Sequence, residues 1–239
     1  MPLCRAGADA PAADVGAITY RGGMAVIRPR PPVVSAPDLP DELAAADAAR
    51  HGDLLAARIE CAGETDLSHS SLEQCRLGGV AARVDVLGAT LLDVEVSELR
   101  TAVLSLRETT ARRLRIIGCR IGTLDLSDAR AAELEIRASR IDYLTVGGAR
   151  IEDAVIVGTR FQTLDLPQAT LTRVRFDDCR VDEVDSRGMS ATDLDLRGLD
   201  ALSYLDVNAL RGATLTTRQV ELLAPAFAAS LGIDVRDEP

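Results

Sequence analysis

From Val84 to Ser203 the chain divides into 24 consecutive five-residue blocks with no insertion or deletion. With the exception of Val184-Asp-Ser186, every tenth residue opens a tripeptide with apolar ends: Val84-Asp-Val86, Val94-Glu-Val96, Leu104-Ser-Leu106, Leu114-Arg-Ile116, Leu124-Asp-Leu126, and on to Leu194-Asp-Leu196. Halfway between lies a leaner block, opened by a small residue with an apolar one two places on: Ala89/Leu91, Cys119/Ile121, Ser139/Ile141, Thr159/Phe161, Cys179/Val181. Apolar residues two apart around a polar one mark a strand with one buried face. A pattern that resets every five residues leaves about two residues to turn a corner, so the chain must coil. Four sides close a coil of 20 residues, and coils stack at the inter-strand spacing of roughly 4.8 Å. Identical positions then form columns running along the stack.

The small–x–Leu/Phe–x–x block, as in Cys179-Arg-Val-Asp-Glu or Ala169-Thr-Leu-Thr-Arg, resembles the pentapeptide-repeat family. The resemblance implies a right-handed quadrilateral β-helix, an all-β solenoid, here with helical caps expected at both ends. Two departures stand out: the middle residue is often Arg rather than Asp or Asn, and half the blocks open with Leu or Val. A leucine-rich repeat would need Asn at a fixed place, and the only Asn is Asn208.

Composition narrows the function classes. The formal charge of −10 argues against a general nucleic-acid binder. All 27 basic residues are Arg. Aromatic residues make up 3%, with no Trp, which suits a narrow interior. No apolar run approaches the ~20 residues of a membrane span, and no signal peptide is recognisable, so a cytoplasmic setting is expected and a membrane partner is not. Cys4, Cys61, Cys75, Cys119 and Cys179 form no metal pattern and read as small buried residues. Phosphate loops, nucleophile elbows and His-containing metal motifs are missing, so neither cofactor nor catalytic residue is expected, and the chain is read as no enzyme.

The flanks are expected as follows. Residues 1–37, rich in Ala, Pro, Gly and Arg, read as a disordered tail, with Met24 a candidate start; a Pro-rich segment of this kind can also bind a partner as an extended helix. Residues 38–64 read as a helical cap, with Asp38 as N-cap and Leu43, Ala46, Leu54, Leu55 and Ile59 on one face. The β-helix takes 65–215, with its first coil one residue out of phase and a slip after Ser203. Residues 216–239 read as a C-terminal helix and tail, kinked or split at Pro225. Val220, Leu223, Phe227 and Leu231 form an apolar stripe that either seals the last coil or joins two copies; the resemblance implies dimerisation through C-terminal ends.

Outward columns supply the candidate interaction surface. One reads Arg100, Arg120, Arg140, Arg160, Arg180. The next reads Asp85, Ser105, Asp125, Thr145, Asp165, Asp185, with Asp125, Asp165 and Asp185 as its candidates. A third, Glu95, Arg115, Glu135, Val155, Arg175, Asp195, alternates in sign and should pair with itself. The reading is a non-enzymatic scaffold that binds a protein partner through these walls, without direct contact to nucleic acid. The alternative rests on the resemblance, since some pentapeptide-repeat proteins protect DNA gyrase from fluoroquinolones by resembling duplex DNA. It makes the chain a DNA mimic that occupies, and protects or inhibits, a topoisomerase.

Overall fold

The computed structural model describes residues 28–236. Residues 1–27, with Cys4 and the alternative start at Met24, lie outside the described residues, as do 237–239. The chain forms an all-β parallel solenoid of about eight coils with a single C-terminal helix, the architecture of a pentapeptide-repeat β-helix. After the short strands Ala44–Ala46 and Asp53–Leu55 come Ala57–Asp66 and Ser71–Asp85. Strands of eight and six residues then alternate, Thr90–Ser97, Arg100–Ser105, Thr110–Ile117, Arg120–Asp125, as far as Thr170–Asp177. The pairings recorded between them are all parallel.

Each strand is longer than the three residues that the five-residue period suggests, because it bends round a corner without leaving the hydrogen-bonded ladder. The bend is made by single residues in the left-handed region, such as Arg113 (φ 52°) and Glu133 (φ 58°). An L-residue there costs roughly 1–2 kcal/mol, which the stacked coils must offset. The interior is a continuous apolar core from Ala57 to Leu210, built from the columns read in the sequence: Leu104, Leu124, Leu144 and Leu164 are all buried. Two voids lined by its leucines and valines, of about 10 and 30 Å³, are far below the roughly 300 Å³ at which small-molecule pockets begin.

Coil length is readable in the register. One wall runs Ala45, Arg58, Arg76, Glu95, Arg115, Glu135, Val155, Arg175, Asp195, Thr214. Steps of 13, 18 and 19 residues lead to Glu95, every step is 20 from there to Asp195, and the last is 19. The phase offset before Val84 is thus coil shortening, with an irregularity at Gly63/Glu64.

Two expectations for the N-terminal flank are overturned. No helix forms over 38–59. Leu54, Leu55 and Ile59 lie in strands, and Ala44–Ala46 pairs with Ala57–Ile59. The reason is the open sheet edge of the first coil: its unpaired N–H and C=O groups capture an adjoining segment that a short, Gly-interrupted helix holds only weakly. Residues 28–37 are not a free tail either; they lie extended along the solenoid, as described below.

The C-terminal helix α1, Thr217–Ser230, forms as one element. Thr216 and Gln219 make a capping box, and Gln219 Nε2 donates to the Leu196 and Leu199 carbonyls at 2.8 Å each, satisfying open acceptors of the last coil. Pro225 neither splits the helix nor ends it. It lies on the exposed side, where water can take the carbonyl it leaves without a donor.

Candidate functional site

The four sides of a coil can be followed from residue 119: one side carries Arg120, the next Asp125, the third Arg130 and the fourth Glu135. On the first side the register is strict, Arg100↔Arg120↔Arg140↔Arg160↔Arg180, and all five side chains are exposed. Arg140 pairs with Asp142 on its own strand and Arg180 with Asp200 of the next coil, both at 3.1 Å. Among the described residues, Arg100, Arg120 and Arg160 have no carboxylate within salt-bridge distance. Five cations at roughly 4.8 Å steps make a basic strip nearly 20 Å long on a chain whose net charge is −10.

The aspartate side is in register too, and extends one coil further to Asp66. Most of its carboxylates, though not that of Asp165, turn back to their own corners. Asp85 accepts the Leu87 amide at 3.0 Å, Asp125 that of Ser127 at 2.9 Å, and Asp185 that of Arg187 at 3.1 Å. Asp165 accepts from the Tyr143 hydroxyl at 2.6 Å; burial and that bond push the phenol up to about 12. Asp185 is 5% exposed, and the Arg187 guanidinium holds its carboxyl below the usual range. The expectation that middle residues of this side point into solvent is therefore corrected: they brace the turns.

The third column pairs with itself only as far as Glu135: beyond the uncharged Val155, Arg175 has no carboxylate within salt-bridge distance among the described residues and its buried Nε has no partner, while Asp195 turns to Arg197 at 2.7 Å. Arg115 reaches Glu135 at 2.6 Å and Glu95 at 3.9 Å, and Arg76 reaches Glu95 at 2.9 Å. Burial pushes the Glu135 carboxyl up, but hydrogen bonds from Arg137 and Arg115 outweigh it and hold the group low.

The corner between the third and fourth sides was not singled out from the sequence. Its column reads Asp93, Arg113, Glu133, Asp153, Arg173, Asp193, all with positive φ. Residues 28–40 run along it as a strap, against the direction of coil growth. The Arg30 amide donates to Asp193 at 3.1 Å, Val33 to Asp153 at 3.0 Å, Ser35 to Glu133 at 3.1 Å and Asp38 to Asp93 at 2.9 Å. Donors three, two and three residues apart meet acids two, one and two coils apart. At roughly 3.1 Å per residue of extended chain and 4.8 Å per coil, the two repeats match to within about 1.5 Å at each step. The skipped coils carry the arginines. Arg113 clamps both oxygens of Asp93 and Arg173 both oxygens of Asp153, so each carboxylate is fixed before the strap arrives. Those hydrogen bonds hold both acids below their usual range.

With residues 28–40 in place these acids are 5–16% exposed, so the bonds, once made, are shielded from water. Four charge-assisted bonds contribute about 6–12 kcal/mol, at 1.5–3 each. Ordering the six non-proline residues of 30–38 costs about the same. The strap is close to balance, and its prolines, already limited in φ, tip it toward attachment.

Other groups have structural places. The four described cysteines are buried and free, and burial raises each thiol, Cys61 to about 11. The inward column Cys119, Ser139, Thr159, Cys179 satisfies corner carbonyls, for instance Ser139 Oγ to Arg137 O at 2.9 Å. His51 and His69 stack with ring centroids 5.4 Å apart, a pairing that sequence spacing did not reveal. Among the described residues no three His, Cys, Asp or Glu side chains are grouped to hold a metal, and no helix is long and apolar enough to cross a membrane. The C-terminal stripe divides: Leu223 and Phe227 pack on the core, while Val220 and Leu231 remain exposed.

No known family's sequence profile matches the chain, and no curated protein does. Among solved structures it is similar in fold to QnrB1, "a plasmid-mediated fluoroquinolone resistance protein". The full-length form is 14% identical with a TM-score of 0.32, over 77% of this chain and 99% of that one. Two trypsin-treated variants of QnrB1 are 14% and 16% identical, each with a TM-score of 0.30. They cover 81% and 80% of this chain, and 98% and 96% of their own.

Proposed function

We propose that the protein is a non-enzymatic scaffold whose arginine wall binds an acidic face of a protein partner. The observation that carries this reading is the exposed five-arginine register in which Arg100, Arg120 and Arg160 have no carboxylate partner among the described residues. Like charges stacked at strand spacing repel one another, and a folded protein gains nothing structural from them. A partner presenting carboxylates along an extended segment removes that repulsion, and guanidinium forks suit such groups. The test is double charge reversal, Arg120→Glu with Arg160→Glu. Capture of the partner from host extract is expected to fall at least tenfold with the thermal midpoint unchanged. Reversal of Arg130 and Arg150 on the opposite side is the control. Equal loss from both pairs, or from neither, overturns the reading.

The DNA-mimic reading, in which DNA gyrase is the partner, draws on the net charge of −10 and the rod shape. The geometry supports it less, because Asp125 and Asp185 are engaged in their own turns and a basic wall adjoins them. Gyrase supercoiling measured with and without micromolar protein distinguishes the two: inhibition or protection that survives reversal of the arginine wall favours the mimic.

A homodimer belongs to this proposal through a different observation. Leu202, Leu205, Val220, Leu222 and Leu231 are all more than 40% exposed at the C-terminal end of the solenoid. Exposed apolar side chains in this number at one end of the solenoid are expected to be covered in part by a second copy.

A further inference from the structure

We propose that the Asp93–Glu133–Asp153–Asp193 edge is a reversible docking site for an extended, proline-rich peptide, with residues 28–40 of this chain as its resident ligand. Recognition is by main chain. The four acids read amides at positions i, i+3, i+5 and i+8 of the bound segment. Proline is therefore forbidden at those four positions and allowed between them. The strap obeys this rule: its prolines are 29, 31, 32, 37 and 40, and none falls on 30, 33, 35 or 38.

The four donor residues expose their side chains, while Pro32, Val34, Pro37 and Leu39 are half-buried. Val33 is 68% exposed, and the ion pair to the strap is Arg30 with Asp193 at 3.8 Å. Three of the four acids of the receiving edge are held by the solenoid itself. Arg113 and Arg173 belong to the solenoid and hold Asp93 and Asp153 from both oxygens, and Arg112 reaches Glu133 at 3.3 Å. A site whose acids are held mostly by the solenoid and which reads amide spacing accepts the same segment offered in trans, or a partner's proline-rich segment with the same spacing. The strap is then an internal competitor that keeps the edge closed until such a segment displaces it. The edge lies diagonally opposite the corner shared by the arginine and aspartate walls, so its occupancy leaves those walls open.

The test uses the full chain carrying Val33→Pro and Ser35→Pro, which removes two donors and leaves the strap's length intact. A fluorescein-labelled peptide of residues 28–40 is titrated in by anisotropy. The wild type, with its edge filled, is expected to bind it at least tenfold more weakly than the variant. Adding Asp153→Asn to the variant is expected to weaken binding about tenfold, the loss of one charge-assisted bond. A peptide N-methylated at Val33 and Ser35 should fail to bind, whereas one methylated at Val34 and Ala36 should bind like the parent. The proposal is overturned if the variant keeps its circular dichroism and takes up no peptide, or if the two methylated peptides bind alike. Amide exchange in the unaltered chain gives an independent reading. Arg30, Val33, Ser35 and Asp38 should exchange more slowly than Val34 and Ala36, and uniform exchange along the strap also overturns the proposal.

Discussion

Ala138 turns its corner at φ 48°, between Gly118 (φ 65°) and Gly158 (φ 57°) in the coils on either side. Alanine gains nothing from that conformation, and its Cβ crowds the following carbonyl. Ala138→Gly is therefore expected to stabilise the protein by up to about 1 kcal/mol: the strain relieved is larger than the backbone freedom that glycine adds to the unfolded chain. Chemical denaturation checks it, with a raised midpoint at unchanged slope. The acids at the strapped corner set a pH dependence. Hydrogen bonds from Arg113 and Arg173 depress Asp93 and Asp153; burial raises Glu133, but bonds from Ser35 and Arg112 leave it depressed as well. A group whose folded value is depressed contributes stability above the ordinary carboxylate range, and that stability is lost as pH falls through the lower folded value. Strap attachment is thus expected to hold from neutral pH to about 4 and to weaken below it. Amide shifts of Val33 and Asp38 should move in that window while those of core residues such as Leu124 stay fixed.

At the scale of single elements, an inward column and an outward one differ in what they tolerate. Leu144 is 5% exposed between Leu124 and Leu164, whereas Asp125 is half-buried and caps a turn. Leu144→Asp places a carboxylate without partners in a dry core and is expected to abolish folding or cost more than about 4 kcal/mol. Asp125→Ala removes one turn hydrogen bond and should cost about 1 kcal/mol. Comparable shifts in thermal midpoint would contradict the assignment of inner and outer faces. The same scale explains the misread N-terminal flank. Alanine-rich residues 41–50 carry helix propensity, but propensity amounts to tenths of a kcal/mol per residue. An open sheet edge offers each residue of Ala44–Ala46 a ladder position against Ala57–Ile59. The strap was missed for another reason: its partners lie 55 to 163 residues away in sequence, and only coiling brings them into one line.

For the whole molecule, the solenoid has two ends of different kind. At the C-terminal end Leu223 and Phe227 pack on the core, so charged residues there should unfold the last coils. Leu222 and Leu231, at 71% and 75% exposure, take no part in that packing. Leu222→Glu with Leu231→Arg is expected to convert a dimer into a folded monomer with little change in thermal midpoint. Light scattering decides: a wild type already monomeric at high concentration removes the dimer.

What the amino-acid order determined by itself is periodic. The 20-residue coil, the inward leucines and the arginine register all follow from identical positions recurring at one interval; the wall of alternating charge does so only from Glu95 to Glu135. Repetition turns a local pattern into a spatial one without knowledge of distant contacts. What only the tertiary structure decided is everything that breaks the period. The first coils shorten because an edge recruits whatever chain adjoins it, and the Asp125 and Asp185 carboxylates fold back because a corner amide lies nearer than water. The Pro-rich segment docks because the stacked coils align four carboxylates with amides spaced three, two and three residues apart. Such a match exists between two repeats of different rise, and it becomes real only when the solenoid sets them side by side.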